Sequence, residues 1–550
     1  MKQTRKSEKL YDSITGIRDS LVTQAQIPHI RLRSAKRFAA VAAILAITLI
    51  TGIAFWPYGK STSAAVRTLA KADYPNMAQY PNMDDYAANS EDMPESGNVS
   101  DDDAAWTGND SIDAGIEPGS GNVSDGSGIT SGGPGAAPES DNISDGSNTS
   151  DGAYDTYMDA YDAWWEDVHA RRSLTDGYDN NMYHFLTDST KSFLSGATGE
   201  NLVYSPLNVY IALGMLAELT DGNSRQQILD LLGTESITLL RKQAYNLWNA
   251  HFRDDGLVTS ILASSLWLNK DVGFRQSTMD ILAKQYYASS YQGEMGSSKL
   301  NTALQNWLDE QTGGLLKKQA SNVTLKPDTV LALATTLNYK AQWNDEFSSA
   351  KTKKSTFHAD SGDVTCDFMH RQKASKTYYW GEKFSAISEG LEQSGSMWFL
   401  LPDKGVTVDE LLNDNEAMSF LLPDSLENWK KQKNLLVNQS IPKFDISSQF
   451  DLKAGLENLG VTDVFHADVS DFSPLSAQTN AIYLSQANHA GRVTIDEKGV
   501  TATSYTVIDA DTSSALPPDK EIDFVLDRPF LFAVTDSDGL LLFAGIVNQP

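Results

Sequence analysis

Three things are scarce in this chain of 550 residues: cysteine, positive charge and assembled catalytic motifs. Cys366 is the single cysteine, so an intrachain disulfide and a cysteine-rich metal site are both excluded. No basic residue close to it in sequence activates its thiol, and it reads as a small residue beside a strand. Lys and Arg number 44 against 72 Asp and Glu, for a formal net charge of −28. A nucleic acid partner is not expected, because phosphate contacts need Lys and Arg gathered on one face. There is no G-x-S-x-G elbow and no H-E-x-x-H. Gly59-Lys60-Ser61 looks like the end of a phosphate loop, but Ala54 stands where the upstream Gly is required. His489 follows a strand-like run; it reads as a structural histidine under a sheet, with a general base as the alternative. Asp471 suits the cap of a turn better than a metal site. Nothing assembles a nucleophile, its base and an orienting group, so neither an enzyme nor a cofactor is expected.

What is present changes character along the chain. Residues 1–37 are polar and end in Arg31, Arg33, Lys36 and Arg37. Phe38 to Trp56 is then uncharged throughout. At helical rise this run covers about 28 Å, close to the ~30 Å hydrocarbon core of a bilayer. Trp56 and Tyr58 suit the far interface, and the basic flank lies on the N-terminal side. The expectation is a single-pass anchor over residues 38–57, with residues 1–37 cytoplasmic and the rest outside. A cleaved signal peptide usually has a far shorter charged region.

Residues 58–178 are rich in Gly, Ser, Asp, Asn and Pro, the composition of an acidic disordered linker. Short near-repeats run through it, YPNM at Tyr74 and Tyr80 and SGNVSD at Ser96 and Ser120. As a flexible coil its ends would lie about 60 Å apart and hold the next domain off the membrane. Its N-x-S/T triplets, Asn98 and Asn122 among them, arise by chance in such a tract. Tyr154 to Trp165 is an aromatic and acidic patch, either a docking segment or a short helix leading into the domain.

Residues 179–550 are globular in composition. MYHFLTDSTKSFL, VYIALGMLAEL, SRQQILDLLG and QNWLDEQTGGLL read as helices. NLVYSP, TVLALATTLNYKAQW, MWFLLP, LLVNQSIPKFDIS, RVTID, IDFVLDRPFLFAVTD and LLLFAGIVNQP read as strands. Helices come first and strands later, which makes the class α+β around a large sheet.

Ile495 to Pro518 carries two readings at once. From Val500 the side chains alternate: Val500, Ala502, Ser504, Thr506, Ile508 and Ala510 share one face of an extended chain, small and largely apolar. Tyr505, Asp509 and Asp511 fall on the other. Yet Thr, Ser, Ala and Asp dominate, and Ser513, Ser514 and Pro517-Pro518 end it like an exposed loop. The pattern is that of a loop able to become a strand.

At this point the globular part resembles a serpin over Asp179 to Pro550. The motifs that carry the resemblance are Asn201-Leu-Val-Tyr-Ser-Pro-Leu, the Trp343 to Phe357 stretch, I-P-K-F-D-I and D-L-K-A-G-L-E-N-L-G-V-T-D-V-F. D-F-S, T-I-D-E-K-G, D-R-P-F-L-F and the terminal L-F-A-G-I-V-N-Q-P complete them. The resemblance implies helices around a large, mainly antiparallel five-stranded sheet plus smaller sheets, with an exposed reactive loop. It also implies a mechanism: a serine protease attacks the loop, is held as a covalent acyl complex, and the cleaved loop enters the main sheet. The hinge would comprise Glu497, Gly499, Val500, Thr501, Ala502, Thr503 and Ser504. Family spacing sets the scissile bond at Ser513–Ser514, with Ser514–Ala515 as the neighbouring choice. The region controlling sheet opening would include Ser205, Pro206, Asn208, Thr335, Trp343 and His489. Asn208 stands where Ser is usual and Thr335 where Asn is usual. A small residue before the bond suits elastase-like or subtilisin-like proteases. The expected protein is a membrane-anchored, bacterial-type inhibitor. A non-inhibitory binding or adhesion module and an inhibitor of cysteine proteases are the alternatives.

Overall fold

The computed structural model describes residues 65–81, 150–175, 181–197, 199–421, 429–477, 482–500 and 520–550. The cytoplasmic segment and the membrane span expected over residues 1–57 lie outside the described residues. Among the described residues no helix is long and apolar enough to cross a membrane.

Two sheets and a buried helix make the core. The helix, α3 (Pro206–Leu219), follows α1 (Ser150–Arg172) and α2 (Asn181–Leu194) and is buried at every position. Its sequence has no polar face, and a helix apolar all round has to be interior. Its one charge, Glu218, is met by Arg241, with Nε to Oε1 at 2.6 Å, and by the Tyr286 hydroxyl at 2.9 Å.

The main sheet has five long strands in the order β5 (Ala288–Gly293), β4 (Thr259–Asn269), β6 (Leu331–Gln342), β13 (Leu484–Ile495) and β12 (Phe444–Asp451). Junctions β4–β6 and β12–β13 are antiparallel, whereas β4–β5 and β6–β13 are parallel. The sheet is therefore mixed, where the resemblance implied a mainly antiparallel one. A short strand, β14 (Gly499–Val500), lies between one end of β6 and β13. The second sheet runs β15 (Glu521–Val525), β11 (Gln432–Pro442), β8 (Gly362–Trp380), β9 (Phe384–Leu391), β10 (Gly395–Pro402), β16 (Phe530–Asp536), β17 (Leu541–Val547) and β2 (Leu202–Tyr204).

Alternation assigns the faces of β6. Leu331, Leu333, Leu337, Tyr339 and Ala341 join the main core, while Ala332 and Ala334 join a second cluster on the outer face. Three helices, α4 (Gly222–Leu231), α5 (Ile237–His251) and α6 (Gln276–Gln285), lie elsewhere; Ala320, Val323 and Leu325 join the outer cluster, and α7 (Ser298–Gln311) covers it with Leu300, Leu304, Trp307 and Leu308. These positions fall at helical spacing, which fixes the face α7 buries.

The linker expected over residues 58–178 needs correction. The folded unit begins at Ala65. Strand β1 (Arg67–Ala70) adds to the outer edge of β5. Tyr74 packs against Trp248 and Phe252, with ring centroids 5.2 and 5.5 Å away. Tyr80 meets Trp164 edge-on at 4.9 Å. Trp164, on α1, is fully buried and donates to Asp255 at 3.0 Å. The two YPNM near-repeats thus supply docking tyrosines. Composition misjudged the segment because its stabilising partners lie far away in sequence, beyond any local pattern. Residues 82–149 lie outside the described residues, and with them the triplets at Asn98, Asn109, Asn122, Asn142 and Asn148.

Candidate functional site

The turn between β13 and β14 holds the start of the expected hinge. The Asp496 N–H donates to the Gly499 carbonyl at 3.1 Å, and the Lys498 N–H to Asp496 Oδ1 at 2.9 Å. Trp343, buried at the end of β6, grips this turn twice. Its Nε1 donates to the Asp496 carbonyl and its backbone N–H to the Lys498 carbonyl, both at 2.9 Å. The Phe347 N–H donates to the Glu497 carbonyl at 2.7 Å.

Glu497 is held by its side chain as well. Lys443 Nζ lies 2.7 Å from one carboxylate oxygen, and the Thr352 hydroxyl donates to the other at 2.7 Å. Partial burial works to raise the Glu497 pKa, but the bonds from Lys443 and Thr352 outweigh it and hold the carboxylate below its ordinary range. Sequence reading missed these two partners. Both stand inside motifs already noted, Lys443 in I-P-K-F-D-I and Thr352 at the start of the T-x4-F run. Lys443, a cation between two apolar residues of that motif, was a signal; Thr352, in a polar stretch, gave none.

Beyond the turn, Gly499 and Val500 form a strand. Gly499 registers with Gln342, and Val500 with Ala341 and Ile495. A Cβ at Gly499 would collide with the Ala341 carbonyl, so close backbone approach requires glycine there. Val500 is 1% exposed and belongs to the main core. Thr501, Ala502, Thr503 and Ser504 lie outside the described residues, as do Ser513, Ser514 and Ala515.

On this side β6 and β13 are joined directly over only part of their length. Parallel pairing runs from Leu331↔Leu484 to Thr336↔Ala490 and stops there. Beyond it come Leu337 to Lys340 on one strand and Gly491 to Thr494 on the other. Among the described residues no strand is registered between them. The next pairing is that of β14.

Beneath the last paired stretch lies a polar cluster. Ser205 caps α3 through its Oγ, which accepts from the Asn208 N–H at 3.3 Å and donates to the Leu542 carbonyl at 2.8 Å. Pro206 takes the first helical position, where its missing N–H costs nothing. The Ser205 N–H donates to His489 Nε2 at 3.2 Å, so that nitrogen carries the lone pair. The ring proton is then on Nδ1, which donates to Thr335 Oγ1 at 2.9 Å. Full burial pushes the His489 pKa down to about 3, and the ring is neutral at physiological pH. Ser205 Oγ is committed to the Leu542 carbonyl, and the Thr335 hydroxyl accepts from the ring, so neither hydroxyl gives the ring a proton. His489 thus ties helix α3 to both strands. Asn208 is fully buried, and among the described residues its side-chain Oδ1 and Nδ2 meet no hydrogen-bond partner. Asp471 accepts from the Ser473 N–H at 2.9 Å, as a turn cap does.

The structure therefore brings together Glu497, Gly499, Val500 and Trp343 at one end of the slot. It sets Ser205, Pro206, Asn208, Thr335 and His489 where the slot closes.

Comparisons with known proteins agree with this geometry. The family model described as Serpin (serine protease inhibitor) matches residues 180–550. Serpin-ZX of Arabidopsis thaliana is 27% identical over 364 residues, covering 64% of this chain and 92% of its own length. Plasma serine protease inhibitor of Mus musculus is 28% identical over 376 residues, covering 66% and 87%. Among solved structures, the thermophilic serpin tengpin in its native state superposes with a TM-score of 0.60 at 26% identity, covering 67% of this chain and 93% of that one.

Proposed function

The chain belongs to the serpin family, whose members are protease inhibitors or binding proteins rather than enzymes, and on that premise we propose that it is a suicide-substrate inhibitor of serine proteases. The observation that carries this reading is the seated hinge: Val500 is already packed in the core between β6 and β13, next to an interval in which no strand is registered among the described residues. Continuing the register of β14 would set Thr501 opposite Lys340, Ala502 opposite Tyr339, Thr503 opposite Asn338 and Ser504 opposite Leu337. The alternation then turns Ala502 and Ser504 inward, as small as a filled core allows. From Tyr505 onward, entry has to part the β6–β13 pairing and the Thr335–His489 bond. Four residues can enter with no strand pair broken, and parting the strands adds to the barrier after them.

The protease serine attacks the carbonyl before the Ser513–Ser514 bond, or the neighbouring Ser514–Ala515 bond. The new amine leaves, and the acylated protease is carried with the entering loop. A small residue before the bond matches a shallow specificity pocket, elastase-like or subtilisin-like. The inhibitor is tethered through the span at residues 38–57, with the serpin unit outside the cell. Only residues 58–64 then separate span and folded unit, since β1 and Tyr74 are docked.

Incubation with elastase, subtilisin, trypsin and papain tests the reading on one denaturing gel. An SDS-resistant adduct with elastase or subtilisin supports it. Adduct with trypsin alone overturns the specificity, and adduct with papain alone redirects it to cysteine proteases. Clean cleavage with no adduct makes the chain a binding module.

A further inference from the structure

The unpaired interval of the main sheet is crossed on its outer face by the turn that ends α7. Gly313 and Gly314 both take left-handed conformations there, with φ of +59° and +83°. The Gly314 N–H donates to the Asp309 carbonyl at 2.8 Å and the Leu315 N–H to the Thr312 carbonyl at 3.1 Å, which closes the helix. On one side the turn touches β6: a Cβ at Gly313 would sit 3.3 Å from Asn338 Nδ2. On the other side it is held by β13, because Arg492 Nη1 donates to the Leu315 carbonyl. Asn338 and Arg492 both stand in the interval where β6 and β13 are not paired. The turn thus bridges the mouth of the slot, anchored on both walls.

Arg492 is itself oriented by Asp445 on β12. Nε and Nη2 reach the two carboxylate oxygens at 2.7 and 2.6 Å, and Thr494 Oγ1 adds a donor to Asp445 at 2.9 Å. The bond from Arg492 outweighs partial burial and holds the Asp445 pKa below its ordinary range. The Arg492 side chain is 26% exposed and that of Asp445 50%. A half-exposed ion pair adds little to global stability. A planar fork fixed at two positions, with a third donor left over, is instead well suited to aim that donor at one carbonyl.

We propose that Arg492 is a latch. It pins the Leu315 turn across the slot and so raises the barrier to strand entry, in the intact chain above all. The latch rests on the inhibitory reading above. A strand entering between Asn338 and Arg492 turns alternate side chains toward the turn. The turn has to lift to admit them, and the Arg492–Leu315 bond has to break. Asp445 acts as the positioning residue for Arg492.

The test uses the full chain, wild type beside R492A and R492K. Each is incubated uncleaved some degrees below its melting temperature, and the loss of adduct-forming capacity is followed with time. A form that survives a temperature melting fresh protein is scored in parallel. R492A is expected to lose capacity and gain the heat-resistant form about tenfold faster, the factor set by one charge-assisted hydrogen bond lost before the transition state. R492K keeps a charge beside Asp445 without the fork and should fall between; it carries the test if R492A does not fold. The melting temperature of nicked protein should be the same in all three, which a merely structural role would not give. Equal rates in wild type and both variants, with wild type forming adducts normally, would overturn the latch and leave the inhibitory reading standing. A wild type that forms no adduct and gains nothing from nicking overturns the inhibitory reading and the latch together.

Discussion

The two sides of strand β6 differ. Toward β4 it is registered without a break from Leu331↔Leu268 to Lys340↔Thr259. Toward β13 the pairing ends at Thr336↔Ala490, skips Leu337 to Lys340 and resumes only as β14 at Ala341. One side of the strand is finished, and the other is left open within a buried sheet. Burial normally demands that strand backbone groups be paired. The chain holds a segment of suitable alternation immediately downstream of β14. The difference teaches where a further strand would fit: on the inhibitory reading the slot belongs to the uncleaved state, with Trp343, His489 and Arg492 along its walls.

The largest way to sharpen the contrast is to fill the open side. A nick at Ser513–Ser514 that lets about a dozen residues enter adds on the order of ten backbone hydrogen bonds, or ~10 kcal/mol. Nicked protein should melt on the order of 10 °C or more above intact protein in a calorimetric scan. An equal melting temperature would remove the slot from the account. Next comes V500E, which places a carboxylate at a 1%-exposed core position with no partner. Burying it costs several kcal/mol. The adduct fraction on a denaturing gel should fall about tenfold, with cleaved product in its place. A variant that still forms adducts at the wild-type ratio contradicts the inward assignment of Val500.

A smaller effect is expected from K443A, which removes the cation from a partly buried Glu497. Loss of such a charge-assisted bond costs about 1.5–3 kcal/mol and should lower the melting temperature of intact protein by a few degrees. No change would mean that the Lys443–Glu497 bond does not hold the hinge.

Acidification should also weaken the closed end of the slot. His489 refuses a proton down to about pH 3, whereas the unfolded chain accepts one near pH 6.5. Its contribution to stability is complete above about pH 6.5 and declines as the pH falls toward 3, by at most ~1.4 kcal/mol per unit. His251, pushed down to about 4 by burial and by Arg172, acts in the same direction. Asp536, pushed up to about 7 mainly by burial, acts oppositely: its contribution is present at low pH and lost as pH rises through about 7. The difference in melting temperature between wild type and H489N, followed over pH 4 to 7, isolates His489 from the other two. It should shrink steadily toward low pH, and a constant difference would contradict the role given to the buried ring. Least of all, T68P on the far edge strand β1 removes one edge donor and should shift the melting temperature by no more than a degree or two. A larger shift would make that edge part of the slot.

Much of this was legible in residues. The run VYIALGMLAEL announced the helix α3, and TVLALATTLNYKAQW announced β6. Alternation from Val500 gave the phase of the hinge before its partners were known. The family resemblance named Ser205, Trp343 and His489; the structure sets Trp343 on the hinge turn and joins Ser205 to His489 across 284 residues of sequence. Other parts depend on contacts that no local pattern encodes. Strand β1 needs β5 as a partner, and α1 needs Asp255 beneath Trp164. The composition of α1, rich in Asp with scattered aromatics, is also compatible with a solvated linker. The grip of Lys443 on Glu497 and of Arg492 on Leu315 crosses 54 and 177 residues of sequence. The gap between Leu337–Lys340 and Gly491–Thr494 has no signature of its own. Each strand is individually regular, and the absence of pairing is a relation between them.

Amide hydrogen exchange on the full chain before and after a nick in the loop tests the open slot most directly. The account predicts that peptides covering Leu337–Lys340 and Gly491–Thr494 become strongly protected after cleavage, while those of β4 hardly change. Unchanged exchange in both segments after complete cleavage would contradict it.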